Sequence, residues 1–171
     1  RHVPFGDFDY LKKTMESMAY IGELPAAIIL EPIEGEIGVI IPPDDYFPKV
    51  RALCDEYDVL LVADEVQTGL GRTGKLFAVD HWGVEPDIIC LAKAMGGGVM
   101  PLSAAVCTKR CYEAYMYDNP WMHSTTTGGN PLACAAGIAG INVLLEEKLD
   151  EQAAEKGEYF LEKLEVLRKK H

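Results

Sequence analysis

Two residues of opposite charge stand at the ends of two apolar, strand-like runs in this sequence. Asp64 follows residues 59–63 (VLLVA), and Lys93 follows residues 87–92 (DIICLA). In a parallel α/β sheet, ligands bind at the carboxyl ends of the strands. A lysine amine and a carboxylate at that edge suggest a pyridoxal phosphate (PLP) site. There the lysine would form a Schiff base, and the carboxylate would keep the pyridine nitrogen protonated.

The hydrophobic pattern predicts the elements that position these two residues. Residues 26–30 (AAIIL) and 59–63 indicate buried strands, and apolar residues at helical spacing over 46–57 indicate a helix between them. A strand–helix–strand unit implies a right-handed crossover and a parallel pair of strands. Residues 102–107 form another apolar run, reached by too few residues for a helical crossover, so we expect an antiparallel strand there.

The rest of the chain is predicted to be helical, over about 109–117, 131–147 and 149–170. Asn130 and Pro131 favour a helix start, with the asparagine as N-cap and the proline at the first helical position. Gly137 and Gly140 indicate that this helix packs closely against other backbone. The predicted fold class is α/β, a mostly parallel sheet flanked by helices.

Composition narrows the function classes. The chain has 171 residues, 49% of them hydrophobic, which is enough for one domain with a core. The net charge of −11 and the lack of a basic patch argue against a nucleic-acid partner. The longest apolar stretch, residues 131–145, is shorter than the roughly 20 residues of a membrane span, so no membrane association is expected.

The five cysteines are scattered and odd in number, which is typical of reduced thiols in a cytoplasmic protein. Cys90, Cys107 and Cys134 lie in apolar runs, and we expect them to be buried. Cys107 and Cys111 could face one side of a turn, but no neighbouring histidine or third cysteine completes a metal site. We therefore predict no metal site.

A competing motif lies at residues 69–75 (GLGRTGK), which fit the GxxxxGK pattern of nucleotide-binding phosphate loops. The next residue is Leu76, where that motif requires Ser or Thr to hold magnesium. We therefore expect these glycines to shape a loop near the cofactor.

Four ordered stretches together resemble the class III (subgroup II) PLP-dependent aminotransferases. They are residues 63–75 (ADEVQTGLGRTGK), 31–38 (EPIEGEIG), 91–98 (LAKAMGGG) and 123–131 (HSTTTGGNP). The resemblance covers essentially the whole chain and is strongest to putrescine, ornithine and acetylornithine aminotransferases. Residues 118–126 (DNPWMHSTT) are most similar to the putrescine enzymes. The fold implied is the large domain of the PLP-dependent transferase fold (fold type I).

The resemblance implies a role for each of several residues. Lys93 would carry the cofactor and, once freed as a neutral amine, shuttle a proton between substrate and cofactor. Asp64 would pair with the pyridine nitrogen; a turn-capping aspartate is the alternative. Val66 would pack on one face of the ring, and Gln67 would hydrogen-bond near the phenolic oxygen.

The remaining implied site residues lie further from the strand ends. Thr126 matches a threonine that binds the cofactor phosphate from the neighbouring subunit. Thr127 stands where the family commonly has Phe or Tyr, which leaves Thr125 and Thr127 as rival phosphate ligands. Glu36 matches a glutamate that pairs with an active-site arginine and helps the enzyme switch substrates. Two exposed loop acids, at 34 and 36, are the alternative.

As a whole, the resemblance implies transfer of an amino group from a terminal amine to a keto acid such as 2-oxoglutarate, by a homodimer with shared active sites. Family members are longer: the match predicts a partial PLP-binding large domain over 1–148 and a helix, 149–171, leading toward a C-terminal small domain. The phosphate loop upstream and the substrate-binding arginine downstream would lie outside this stretch. The alternatives are another class III reaction, such as an aminomutase, or a non-catalytic fragment that only associates.

Overall fold

A computed structural model of the chain describes residues 1–118 and 124–170. Its sheet has four strands in the order β1-β2-β3-β4. Residues 119–123, which are part of the stretch that resembles the putrescine enzymes, lie outside the described residues. The strands are β1 Ala27–Leu30, β2 Leu60–Asp64, β3 Ile88–Leu91 and β4 Ala104–Cys107.

The sheet pairs as the sequence predicts. β1 pairs with β2 and β2 with β3 in parallel, whereas β4 runs antiparallel to β3. In the antiparallel pair, Leu91 lies opposite Ala104, so the amino end of β4 meets the carboxyl end of β3. The predicted α/β class with a mostly parallel sheet is confirmed.

Five helices accompany the sheet in the described part of the chain: α1 Phe8–Tyr20, α2 Tyr46–Tyr57, α3 Lys109–Asp118, α4 Pro131–Glu146 and α5 Leu149–Arg168. The sequence predicted four of them but missed α1. That helix has only two buried residues, Leu11 and Met15, one turn apart. Its start is marked by Asp7, whose Oδ1 accepts a hydrogen bond from the backbone N–H of Tyr10 at 2.9 Å.

The core lies between α2, α1 and one face of the sheet. Phe47 and Val50 of α2 are fully buried, and the Phe47 ring packs 4.9 Å from the ring of Trp82, centroid to centroid. Ile28 and Leu61, paired across β1 and β2, face this helix layer. Burying each large apolar side chain stabilises the fold by roughly 1.5–3 kcal/mol, which anchors β1 and β2 and therefore the residues at their ends.

A salt bridge links α2 to the amino end of β3, the end opposite to Lys93. Asp87, just before β3, accepts hydrogen bonds through Oδ2 from Arg51 Nη1 and from the backbone N–H of Leu61, both at 2.8 Å. Burial alone would raise the pKa of Asp87, but these hydrogen bonds and the arginine charge lower it below its usual value. Through Asp87, these contacts join α2, β2 and the start of β3.

Helix α4 packs closely on the segment that follows β3. The side chain of Asn130 accepts hydrogen bonds from the N–H groups of Leu132 and Ala133, which confirms it as the N-cap. A Cβ atom at Gly140 would lie 2.9 Å from the Cα of Gly97. The predicted close backbone approach of this helix is confirmed.

The surface differs from expectation at the cysteines. All five are free, but Cys107 is exposed and Cys90 and Cys134 are only partly buried. The prediction that these three are buried was wrong, because β4 is an edge strand and α4 is covered on one side only. Cys54 of α2 is fully buried, and burial raises the pKa of its thiol to about 11. Within the described residues, no helix has the length and apolarity to cross a membrane.

Candidate active site

The carboxyl ends of the three parallel strands bring the predicted site residues to one edge of the sheet. β1 leads into the acidic segment that begins at Glu31, β2 ends at Asp64, and β3 ends two residues before Lys93. The parallel register places Asp64 beside Cys90, three residues before the lysine. Parallel pairing is what places these groups at a common edge.

Lys93 is joined to Gln67 across this edge. The Nζ atom of Lys93 donates a hydrogen bond to Gln67 Oε1 at 3.2 Å. Lys93 begins a short 3-10 helix, Lys93–Gly96, and its φ of 49° is a left-handed conformation that non-glycine residues seldom adopt. Such backbone strain is concentrated at functional sites. Lys93 stands beyond the end of β3 and is exposed.

Asp64 is partly buried at the end of β2. Its Oδ1 accepts a hydrogen bond from the backbone N–H of Val66 at 3.0 Å, so the aspartate does cap its own turn. It also lines a groove of about 380 Å³ together with Glu31 and Glu34. Burial, and then the charge of Asp64, raise the pKa of the neighbouring Cys90 thiol. Capping and ligand binding are thus compatible roles. The Val66 side chain is partly exposed, and no described contact assigns it to a ring face.

A narrow hairpin after β1 carries Glu36. Glu34 and Ile40 form an isolated antiparallel bridge, with hydrogen bonds of 3.1 and 3.0 Å between their backbones. Glu36 lies in the turn and is exposed, so the hairpin presents it to solvent. Gly35 lies against Gln67: a Cβ atom there would come within 2.6 Å of Gln67 Oε1. The hairpin is therefore in contact with the residue that holds Lys93.

Glu65, the residue after Asp64, is buried and supports the turn that follows β2. It was not predicted from the sequence. Its side chain is 1% exposed. Oε1 accepts the backbone N–H of Val79 at 2.9 Å, and Oε2 accepts the hydroxyl of Thr68. These bonds close the turn that carries Asp64 and Gln67. The signal available in the sequence was a charged residue directly after a buried strand, which requires partners if it turns inward.

The glycines of the loop 69–75 serve the approach of helix α5. A Cβ atom at Gly71 would lie 3.4 Å from the Cα of Asp150, and one at Gly74 would lie 3.0 Å from the Cβ of Ala154. Both glycines also have positive φ angles, 89° and 91°. In the described residues these two glycines therefore serve helix packing and backbone conformation.

Thr126 was the predicted phosphate ligand. It lies in the loop before α4 and is exposed, as are Thr125 and Thr127. Among the described residues, no hydrogen bond joins any of the three to Asp64, Gln67 or Lys93. The structure thus brings together Asp64, Gln67, Lys93 and the hairpin of Glu36, whereas no contact in the described residues assigns Thr126 to them.

The donor set at the sheet edge fits a PLP cofactor. An exposed primary amine can reach a carbonyl, and a carboxylate at the neighbouring strand end can hold a protonated ring nitrogen. An amide between them can donate and accept hydrogen bonds. In residues 1–118 and 124–170, no three His, Cys, Asp or Glu side chains are grouped to hold a metal ion.

Comparison with known proteins agrees with this arrangement. The family described as aminotransferase class-III matches residues 8–171. A putrescine aminotransferase from Pectobacterium atrosepticum is 57% identical over 166 residues, covering 97% of this chain and 35% of that protein.

Solved structures match as well. An ornithine delta-aminotransferase from Plasmodium falciparum is 46% identical with a TM-score of 0.86, covering 96% of this chain and 41% of that one. An acetylornithine aminotransferase from Elizabethkingia anophelis is 40% identical with a TM-score of 0.91, covering 98% and 40%. The chain thus spans well under half the length of these relatives. On the family match and these identities, the chain belongs to the class-III aminotransferase family.

Proposed function

We propose that the protein containing this chain is a PLP-dependent transaminase that moves an amino group from a terminal amine to a keto acid such as 2-oxoglutarate. The observation that carries the proposal is the set of strand-end residues: Lys93 hydrogen-bonded to Gln67, with Asp64 at the end of the adjacent strand. The proposal is supported by the family to which the chain belongs and by the similarity of its fold to an ornithine aminotransferase.

When bound, PLP supplies an electron sink for the carbon that loses its proton. Lys93 would hold the cofactor covalently and, when released, accept and return the proton through Nζ. Its side chain is exposed and would therefore be free to move when the cofactor is released from it. Asp64 would keep a positive charge on the pyridine nitrogen, and the hydrogen bond that it accepts from the backbone N–H of Val66 orients its carboxylate. Gln67 would hold the lysine near the phenolic side of the ring, with Val66 beside it.

A charged amine suits this edge of the sheet. Glu31 and Glu34 follow β1, Asp64 ends β2, and Glu36 stands on the adjoining hairpin turn; the groove beside the first three is lined also by Arg1 and His2. Acidic side chains attract a substrate that retains a second, positively charged amine. The relatives are a putrescine and an ornithine aminotransferase, and we propose a donor of that class. Glu36, which is exposed, is our candidate for contact with substrate or for pairing with an arginine.

We further propose a homodimer. Thr126 is exposed and has no described contact with the lysine edge, so it is available to the site of a second copy, where its hydroxyl would bind the cofactor phosphate. Thr125 and Thr127 remain its rivals. We also propose a cytoplasmic location, which the five free cysteines support.

A turnover assay tests the proposed function. The whole protein is incubated with PLP, putrescine or ornithine, and 2-oxoglutarate, and glutamate formation is measured. We expect glutamate only when amine donor and keto acid are both present. A product that forms from the amino substrate without keto acid would favour an aminomutase. No product with any terminal amine would favour a chain that only associates. The variant Lys93→Arg should form no product, whereas Lys163→Arg, on exposed α5, should retain wild-type turnover.

A further inference from the structure

We propose that Gly35 is a positioning residue whose missing side chain lets Gln67 hold Lys93; this inference deepens the proposed function and rests on it. Gly35 lies on the hairpin after β1, and Gln67 follows β2. The two are far apart in sequence, and neither the motif around Gly35 nor its backbone conformation announces the contact.

The contact is close and specific. A Cβ atom added at Gly35 would lie 2.6 Å from Oε1, 2.8 Å from Cδ and 2.9 Å from Nε2 of Gln67. These are the three atoms of the amide group itself. Oε1 is also the atom that accepts the hydrogen bond from Lys93 Nζ. A side chain at position 35 would therefore displace the amide group that accepts the hydrogen bond from the lysine.

The requirement for glycine here does not come from backbone strain. The φ of Gly35 lies outside the left-handed region, unlike that of Gly38 at 113°. Gly35 is held by two hydrogen bonds, from its N–H to Glu31 Oε2 at 3.2 Å and from the Gly38 N–H to its carbonyl at 3.2 Å. An alanine can keep both bonds, because neither involves Cβ.

The consequence of a substitution is thus confined to the site. The atoms in the way are the far end of a flexible side chain, and Gln67 is partly exposed, so the amide can rotate away into solvent. Replacement of Gly by Ala where the backbone permits it also restricts the unfolded chain, which favours folding. Gly35→Ala should leave stability unchanged or slightly increased, while the bond between Gln67 and Lys93 is lost.

The test is a double-mutant cycle read at Lys93 without cofactor. The variants are Gly35→Ala, Gln67→Ala and the double variant, with Gly157→Ala in α5 as the matched control, because a Cβ atom there meets nothing within 4 Å. Acetylation of each lysine by acetic anhydride is measured on the whole protein, by mass spectrometry of its peptides after digestion. The hydrogen bond engages the Nζ atom of Lys93, so its loss leaves that amine free to react.

We expect the acetylation rate of Lys93 to rise about two- to tenfold in Gly35→Ala, the range for one net hydrogen bond. Gln67→Ala should give the same rise, and the double variant no further rise. The proposal is overturned if Gly35→Ala leaves the acetylation rate of Lys93 unchanged, or if the two effects add. Because no PLP is present, this outcome is independent of the turnover assay, which alone decides the proposed function.

Discussion

The buried carboxylate of Glu65 provides the sharpest prediction for stability. It has two partners, the N–H of Val79 and the hydroxyl of Thr68, and Val79 and Thr68 are themselves 1% and 5% exposed. Glu65→Ala leaves both partners buried and unpaired. Each unsatisfied group costs roughly 1–3 kcal/mol, so the expected loss for the two groups is about 2–6 kcal/mol.

Glu65→Gln should cost far less. A glutamine can keep its carbonyl toward the Val79 N–H and donate from its amide to Thr68, since a hydroxyl can also accept. Only the added strength of a charged acceptor is lost, so we expect about 1 kcal/mol or less. Thr68→Val removes one partner of a buried carboxylate oxygen and should fall between the two, at about 2 kcal/mol.

The assay is urea unfolding, with the free energy obtained by linear extrapolation. Amide hydrogen exchange at Val79 gives a local reading, and should accelerate in Glu65→Ala but not in Glu65→Gln. Glu158→Ala, at an exposed position of α5, is the control and should stay within about 0.5 kcal/mol of wild type. Equal losses for the glutamine and alanine variants, or a neutral Thr68→Val, would refute the hydrogen-bond reasoning.

Three further predictions follow from burial and charge. The pKa of Asp87 is lowered in the folded protein, so its contribution to stability is complete above its unfolded pKa of about 4. This contribution is lost as the pH falls through the folded pKa. The unfolding free energies of wild type and Asp87→Asn should therefore converge in acid. A constant difference between them would contradict this. Iodoacetamide should label exposed Cys107 well before Cys54, whose pKa is raised to about 11, as peptide mapping can show. Gly140→Ala should lower the thermal midpoint because its Cβ meets backbone of Gly97 that cannot yield, and an unchanged midpoint would count against that packing.

Much of the fold was predictable because burial imposes its period on the sequence. The parallel strands are continuous apolar runs, and the antiparallel β4 followed from the short connection that precedes it. Helix α1 was missed although Phe8, Leu11 and Met15 stand at helical spacing and pack in the core, the last two of them buried. Its cap, Asp7, was a usable signal.

The sequence indicated which residues belong to the site, but not which contacts they make with one another. The strand-end positions of Asp64 and Lys93 followed from topology, since parallel strands end at one edge. The contact of Gln67 with Gly35 and the inward turn of Glu65 depend on rotamers and on how a hairpin folds back. No sequence period encodes either. The glycines at 71 and 74 had a visible spacing, but the structure shows them against α5, which is far away in sequence.

Covalent mapping of the cofactor identifies the lysine that carries it. The whole protein is mixed with PLP, fixed with borohydride, digested and analysed by mass spectrometry. We expect a single reduced adduct on Lys93, abolished in Lys93→Arg and weakened in Asp64→Asn, which cannot hold the ring nitrogen as an ion pair. An adduct on any other lysine, or saturable PLP binding without an adduct on Lys93, would contradict it.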